Sequence, residues 1–368
     1  MKLMRLQSLS IPRFSISLFT SGILLALAAL NASGQTPGGD NFVYVMTNKN
    51  PGNSVLQFQR AANGALTLIR EIATGGSGTG ANGADPLGSQ DSLVLSGDGQ
   101  LLLAANAGSN EISVLSTRNG QLTWLSKSWS GGTFPNSVTL SGDLVYVLNA
   151  GSSNITGFRL DTHGVLHSIA TVNLPTGVVK PNDIRFSPDG SHVLLTASGS
   201  NQVLVSDIAD NGVAGTPSAQ ASAGGAPFGI RFGHDGVVIV SEAAGSASSY
   251  SLSDGVLNVI SGAVANTQKA SCWISVNRSA TEAYLSNTAS GTISSYHIGG
   301  DGSLTLLNAV TANPGGAPID SALSRDSRFL YVVESAQGRT LIFKESANGL
   351  VPVGSVSVPL GSQGISAQ

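Results

Sequence analysis

The chain has 368 residues, a net charge of −3, only 11% charged side chains, 46 glycines and a single cysteine, Cys272. So little Lys and Glu disfavours long surface helices, and the lack of a basic cluster argues against a nucleic-acid partner, which needs a cationic stripe. One thiol excludes an intrachain disulfide, so a large apolar core must supply the stability.

The first predicted element is a leader. Lys2, Arg5 and Arg13 flank or precede an uncharged apolar run over residues 16–30, and the small residues Asn31-Ala32-Ser33-Gly34 follow. That order predicts a secretory signal peptide over 1–34, with Ala32 and Gly34 at the two positions a signal peptidase reads. The run is short for a membrane span, no cysteine lies near the cut, and no later segment reads as a span. The mature protein is expected to be secreted or periplasmic and monomeric, with a short linker (35–40) ahead of one domain over 41–368.

The next signal is a strand, FVYVMT (42–47), and from there the chain repeats itself. An X-Gly turn between alternating strands recurs at Asn63-Gly64, Asn119-Gly120, His163-Gly164, Asn211-Gly212, Asp254-Gly255, Asp301-Gly302 and Asn348-Gly349. Such pairs accept positive φ at both central residues, as a two-residue hairpin turn requires. Two other signals keep the same period. One is a strand pair around a Pro-Asp-Gly type turn, as in IRFSPDGSHVLLTAS (184–198); the other is a third strand after a Gly/Ser/Asn bend, as in NAGSNEISVL (106–115). Each unit reads as strand A, turn, strand B, bend, strand C, hairpin, strand D. Four antiparallel strands repeated seven times predict an all-β, seven-bladed propeller.

The first interval is longer than the rest because it holds a Gly-rich insertion, residues 74–90 (TGGSGTGANGADPLGSQ), which predicts a mobile loop over one face. The glycines do not make a phosphate cradle, since no Gly-Lys-Ser/Thr ending follows and no helix opens. The domain starts at a strand B, and the missing strand A has its counterpart at the C-terminus, in Gly364-Ile365-Ser366-Ala367. The last strand is therefore expected to complete the first blade and close the ring.

The SPDG-type turns, NAGSN bends and D-G-x-L hairpins resemble the lactonase-type seven-bladed propellers, a family that includes 6-phosphogluconolactonase-like proteins and relatives labelled 3-carboxymuconate cyclase. Segments such as TGGSGTG (74–80), GSQDSLVLS (88–96), APFGIRF (226–232) and SCWISV (271–276) are similar to its exported bacterial branch. The resemblance spans nearly the whole mature chain and implies the fold strongly, with a lactone or related ring acid as the implied substrate class. Enzymatic members carry a His-x-His motif leading into an inner strand. The corresponding openings here, SQDS (89–92), FPNS (134–137), KPND (180–183), APFG (226–229), SCWI (271–274) and APID (317–320), contain no histidine. No metal or organic cofactor is therefore expected.

Strand direction indicates which residues meet. The D-to-A entries and B-to-C bends share one face, so strand-A openers and strand-B ends should ring the same mouth. This nominates Asp183, Glu242, Asp320 and Glu334 for acid/base work, with Glu242 foremost because crowded carboxylates raise one another's pKa. Arg185 and Arg231, inside strand A, are candidates for holding an anionic substrate. Asn106, Asn149 and Asn287 end strands B and serve either a ligand or the following bend. Cys272 has no nearby base to make it a nucleophile, whereas Trp273 is a candidate wall of a ligand site. Two functions stay open: a lactonase-like hydrolase or isomerase, and a non-catalytic propeller binding a glycan, peptide or envelope partner.

Overall fold

Residues 41–368 are described in the computed structural model, so the expected leader and linker lie outside the described residues. The chain forms seven four-stranded antiparallel sheets arranged as the blades of a propeller. The inner strands are, in chain order, Leu93–Leu95, Pro135–Ser141, Pro181–Phe186, Pro227–Phe232, Ser271–Val276, Ser321–Leu323 and Ile365–Ala367. Each second strand is covered on both faces by neighbouring blades, which is why it reads as an unbroken apolar run; Leu144–Asn149 (LVYVLN) is buried throughout. Outer strands such as Leu166–Asn173 have one covered face and alternate accordingly.

The C-terminal strand closes the ring as expected. Val43, Tyr44 and Val45 pair with Ala367, Ser366 and Ile365, and the Met46 and Gln368 N–H groups extend the ladder to the carbonyls of Gly364 and Phe42, each at 2.9 Å. An inner strand from one end of the chain thus covers the edge left by the other.

The hairpins depart from the expected geometry. Only Asn119-Gly120 and Asp254-Gly255 have positive φ at both residues. At Gly64, Gly164, Gly212 and Gly302 the glycine alone is left-handed, and its N–H donates to the carbonyl three residues earlier. These are type I turns followed by a glycine bulge, for which a preceding Asn is not required. That explains why His163 can stand before Gly164.

The Gly-rich insertion departs further. Its last residues are not a mobile loop: Leu87, Ser89 and Gln90 are buried, and the segment plugs the central channel. Ser89 Oγ donates to the Asn136 carbonyl (2.7 Å), and Asn182 Nδ2 donates to the Gly88 carbonyl (2.7 Å). Gln90 reaches across to the sixth blade, where Nε2 donates to Ile274 O (2.8 Å) and Oε1 accepts from Ile274 N (3.1 Å). Four inner strands open with a register shift, between Pro135/Ser137, Pro181/Asp183, Pro227/Ile230 and Ser271/Trp273. Such bulges free backbone groups from the ladder, and the plug takes up those of Asn136 and Asn182.

Candidate functional site

The plug divides the channel into two spaces. On the face of the D-to-A entries lies a cleft of about 640 Å³, walled by Phe134, Val178, Val179 and Phe228 and edged by Asp85 and Lys180. Toward the A–B turns lies a narrower polar tube of about 250 Å³, with Asp91, Arg185, Arg231, Ser275, Ser321 and Ser366 in its lining.

In the cleft, the sequence of the insertion sets one carboxyl in place. Asp85 Oδ1 accepts from Gly88 N (2.9 Å) and Gln363 Nε2 (2.8 Å), while Gln363 Oε1 accepts from Leu87 N (2.9 Å). The closing segment of the ring therefore holds the plug and orients the acid. The Ser89 N–H also supports the carboxyl, and neither of its oxygens is a buried orphan. Burial pushes this carboxyl up to about 6 despite the bonds it accepts. An acid of that kind can take or give a proton near neutral pH.

In the tube, Asp91 enters just ahead of strand Leu93–Leu95 with left-handed backbone, φ 61°. Its carboxylate is bidentate with Arg231, Nη1 to Oδ2 and Nη2 to Oδ1 at 2.9 Å each, and Oδ2 also accepts from Arg185 Nη1 at 2.5 Å. Burial alone would raise Asp91, but the two guanidinium charges outweigh it and hold the acid below its usual range. Asp183 is enclosed: Oδ1 accepts from Ser137 Oγ (3.0 Å) and Oδ2 from Ile230 N (2.8 Å). Burial and then the charge of Asp91 push it up to about 7, against the pull of the arginines. Asp320 is buried, accepts from Ser321 N on Oδ1 (3.0 Å) and leaves Oδ2 unpartnered. Burial and Asp91 raise it well above the ordinary carboxylate range.

The nominated residues therefore divide into two groups. Asp183, Asp320, Arg185 and Arg231 come together around Asp91, which sequence reasoning passed over along with Asp85, because both acids sit in a segment read as loop. The strand-B ends lie elsewhere, and the three asparagines tie their blades to the segment arriving from the preceding one. Asn106 Oδ1 accepts from Thr74 Oγ1 (2.7 Å), Asn149 Nδ2 donates to Ser130 O (3.0 Å), and Asn287 Oδ1 accepts from Asn266 Nδ2 (3.2 Å). Glu242 takes the same position with a longer side chain, accepting from Ser246 Oγ and from Ser248 Oγ (2.5 Å). Room for it comes from Gly224, where a Cβ would collide with the carboxyl. Glu334 is bound by Arg339 and lies likewise against Gly316. Trp273 is buried, packs against Phe228 with the rings tilted and their centroids 4.8 Å apart, and donates Nε1–H to Ser89 O (2.9 Å), so it braces the plug. Burial drives the Cys272 thiol upward, away from thiolate chemistry. Among the described residues no three His, Cys, Asp or Glu side chains are grouped to hold a metal ion.

A family profile described as "Lactonase, 7-bladed beta-propeller" matches residues 38–181 and 242–364. The chain belongs to this lactonase family. The stretch between the two matches, 182–241, carries Asp183 and the two arginines of the polar tube, Arg185 and Arg231, whereas Asp91, Ser275 and Ser321 of its lining lie in the matched parts of this lactonase-family chain. Among solved structures, a candidate 6-phosphogluconolactonase from Bacteroides fragilis superposes with a TM-score of 0.71 at 19% identity, over 87% of this chain and 96% of the other. A periplasmic gluconolactonase from Pseudomonas aeruginosa gives 0.72 at 16% identity, over 88% and 98%. At such identities the likeness concerns the fold. No curated protein matches the sequence.

Proposed function

We propose that this lactonase-family propeller is an exported hydrolase that opens a small lactone in the cleft, with Asp85 as general base. The observation that carries the reading is the Asp85 carboxyl, fixed by Gly88 and Gln363, with its pKa pushed up to about 6 by burial at the edge of a cleft of about 640 Å³. Asp85 takes a proton from a water molecule, whose oxygen adds to the lactone carbonyl carbon. The ring C–O bond then breaks, and the proton returns to the departing ring oxygen to give a hydroxy acid. Phe134 and Phe228 offer apolar faces to a ring, and Lys180 places a cation at the rim for an anionic substituent. Export rests on the leader-like order of residues 1–34.

Asp85→Asn is expected to keep the fold and lower lactone turnover by roughly 10²–10⁴, the usual worth of a general base. A lactone panel assayed with wild type and variant tests this. Full turnover in the variant removes Asp85 from the mechanism. Saturable sugar or lactone binding without turnover in the wild type favours the binding-protein reading instead, for which the apolar walls of the cleft are equally suited.

A further inference from the structure

We propose that the polar tube behind the plug is a second binding site, for one small carboxylate, held by the free edge of Arg185. It is separated from the cleft by Gln90 and Asp91 and does not depend on the hydrolase reading. Arg231 spends both Nη groups on Asp91, but Arg185 spends only Nη1. Nε and Nη2 of Arg185 have no partner among the described residues and are not buried orphans; the side chain keeps 32% of its exposure, facing a tube it lines. A guanidinium with one edge bound and one edge open presents two parallel N–H donors, the geometry that a carboxylate matches bidentately.

Charge points the same way. Two arginines face the single firm carboxylate of Asp91, leaving one positive charge over. The other acids near the tube, Asp183 and Asp320, are both enclosed and disposed to stay protonated, and neither bonds to an arginine. The other inner strands contribute the hydroxyls of Ser275, Ser321 and Ser366 and the aliphatic Val94, Leu95 and Ala322 to the lining. An excess cation in a confined space with unmet donors attracts an anion, and about 250 Å³ limits it to a small one.

Calorimetry with sodium acetate at fixed ionic strength, on the mature chain and its variants, tests the site. One acetate per chain is expected at pH 6. Ionisation of Asp183 cancels the surplus charge, so binding should weaken about tenfold by pH 8, as expected for a group titrating near 7. Arg185→Gln should weaken binding at least about tenfold, and Arg185→Lys, which keeps the charge but loses the fork, should fall between. Asp85→Asn should leave acetate affinity unchanged, whatever it does to lactone turnover. No saturable binding at pH 6, or equal affinity in Arg185→Gln, overturns the proposal. So does acetate binding that is lost in Asp85→Asn and kept in Arg185→Gln, which would put the anion in the cleft. Should Arg185→Gln not fold, Arg185→Lys decides, and unchanged affinity there is the overturning result.

Discussion

Asp91 and Arg231 stand 140 positions apart in the chain and meet in a bidentate pair, both N···O distances 2.9 Å. The pair pins the end of the insertion to the fifth blade, and Arg185 adds a clamp from the fourth. Asp91→Ala removes the carboxylate shared by Arg185 and Arg231 and leaves Arg231 only the Ile230 carbonyl. Breaking a buried ion pair from one side costs more than the pair's net worth, because the remaining charge is stranded. Arg185 keeps partial access to solvent, so a loss of about 2–3 kcal/mol is expected, below the full value for a dry site. Urea unfolding of both proteins measures it; a change within about 0.5 kcal/mol would mean the clamp is idle.

Asp183 gives the fold a pH dependence of unusual sign. Its native pKa of about 7 lies above the unfolded value of 3.8, so between those values the native state holds a proton that the unfolded chain has released. Stability from this group is therefore greatest below pH 4 and declines as pH rises toward 7, levelling off above. Asp183→Asn can keep both contacts, with Nδ2 toward Ser137 Oγ and Oδ1 toward Ile230 N, while removing the titration. From pH 5 to pH 8, wild type should lose roughly 1–3 kcal/mol relative to Asp183→Asn. Parallel stability curves for the two proteins across that window would show that Asp183 does not titrate there.

Gln90 and Gly229 make a tighter test of the plug. The Gln90 carboxamide lies against the Gly229 Cα, so that a Cβ at 229 would strike Oε1. Gly229 has no left-handed φ, so its role is the close approach and not backbone freedom. Gly229→Ala is expected to destabilise by about 1–3 kcal/mol, the usual cost of overpacking. Gln90→Ala in the same chain should recover part of that loss, because it removes the struck atom. Additive losses in the double-mutant cycle would show that the two sites do not touch.

The ring was legible because its signals are local and repeated: an X-Gly turn in each blade, with a Pro-Asp-Gly type turn and a bend keeping the same period. Even the closing strand could be placed, since a missing strand A at one end had its counterpart at Ile365. The plug was not legible, since Gly88-Ser89-Gln90 carries no periodicity and its partners, Asn136, Asn182 and Ile274, are fixed only once the ring has closed. Asp85 and Asp91 shared its fate. Strand direction did bring Asp183, Asp320, Arg185 and Arg231 together, but it could not tell whether a strand-B end turns inward to the channel or sideways to the segment arriving from the preceding blade. Gly76, Gly132, Gly224 and Gly316, each packed against such an end, were the available sign of the sideways turn.

Glu242→Gln tests that distinction at the residue the sequence favoured for acid/base work. The carboxyl accepts from two serine hydroxyls, and Ser248 Oγ in turn accepts from Ala263 N (2.8 Å), so the group anchors the outer part of the fifth blade to its second strand. Burial raises its pKa, with the two hydroxyls opposing. A glutamine must turn an N–H₂ toward hydroxyls that now donate, so one or both must reorient, and Gly224 leaves no slack for the side chain to withdraw. The expected result is a loss of about 1–2 kcal/mol, the cost of disturbing a buried hydrogen-bonded polar group. Glu242 touches neither the cleft nor the tube, so the catalytic constant of folded protein should hold. The opposite pattern, unchanged unfolding with turnover down by roughly 10²–10⁴, would restore Glu242 as the acid/base and move the reaction away from Asp85. Unfolding and turnover measured on one preparation separate the two.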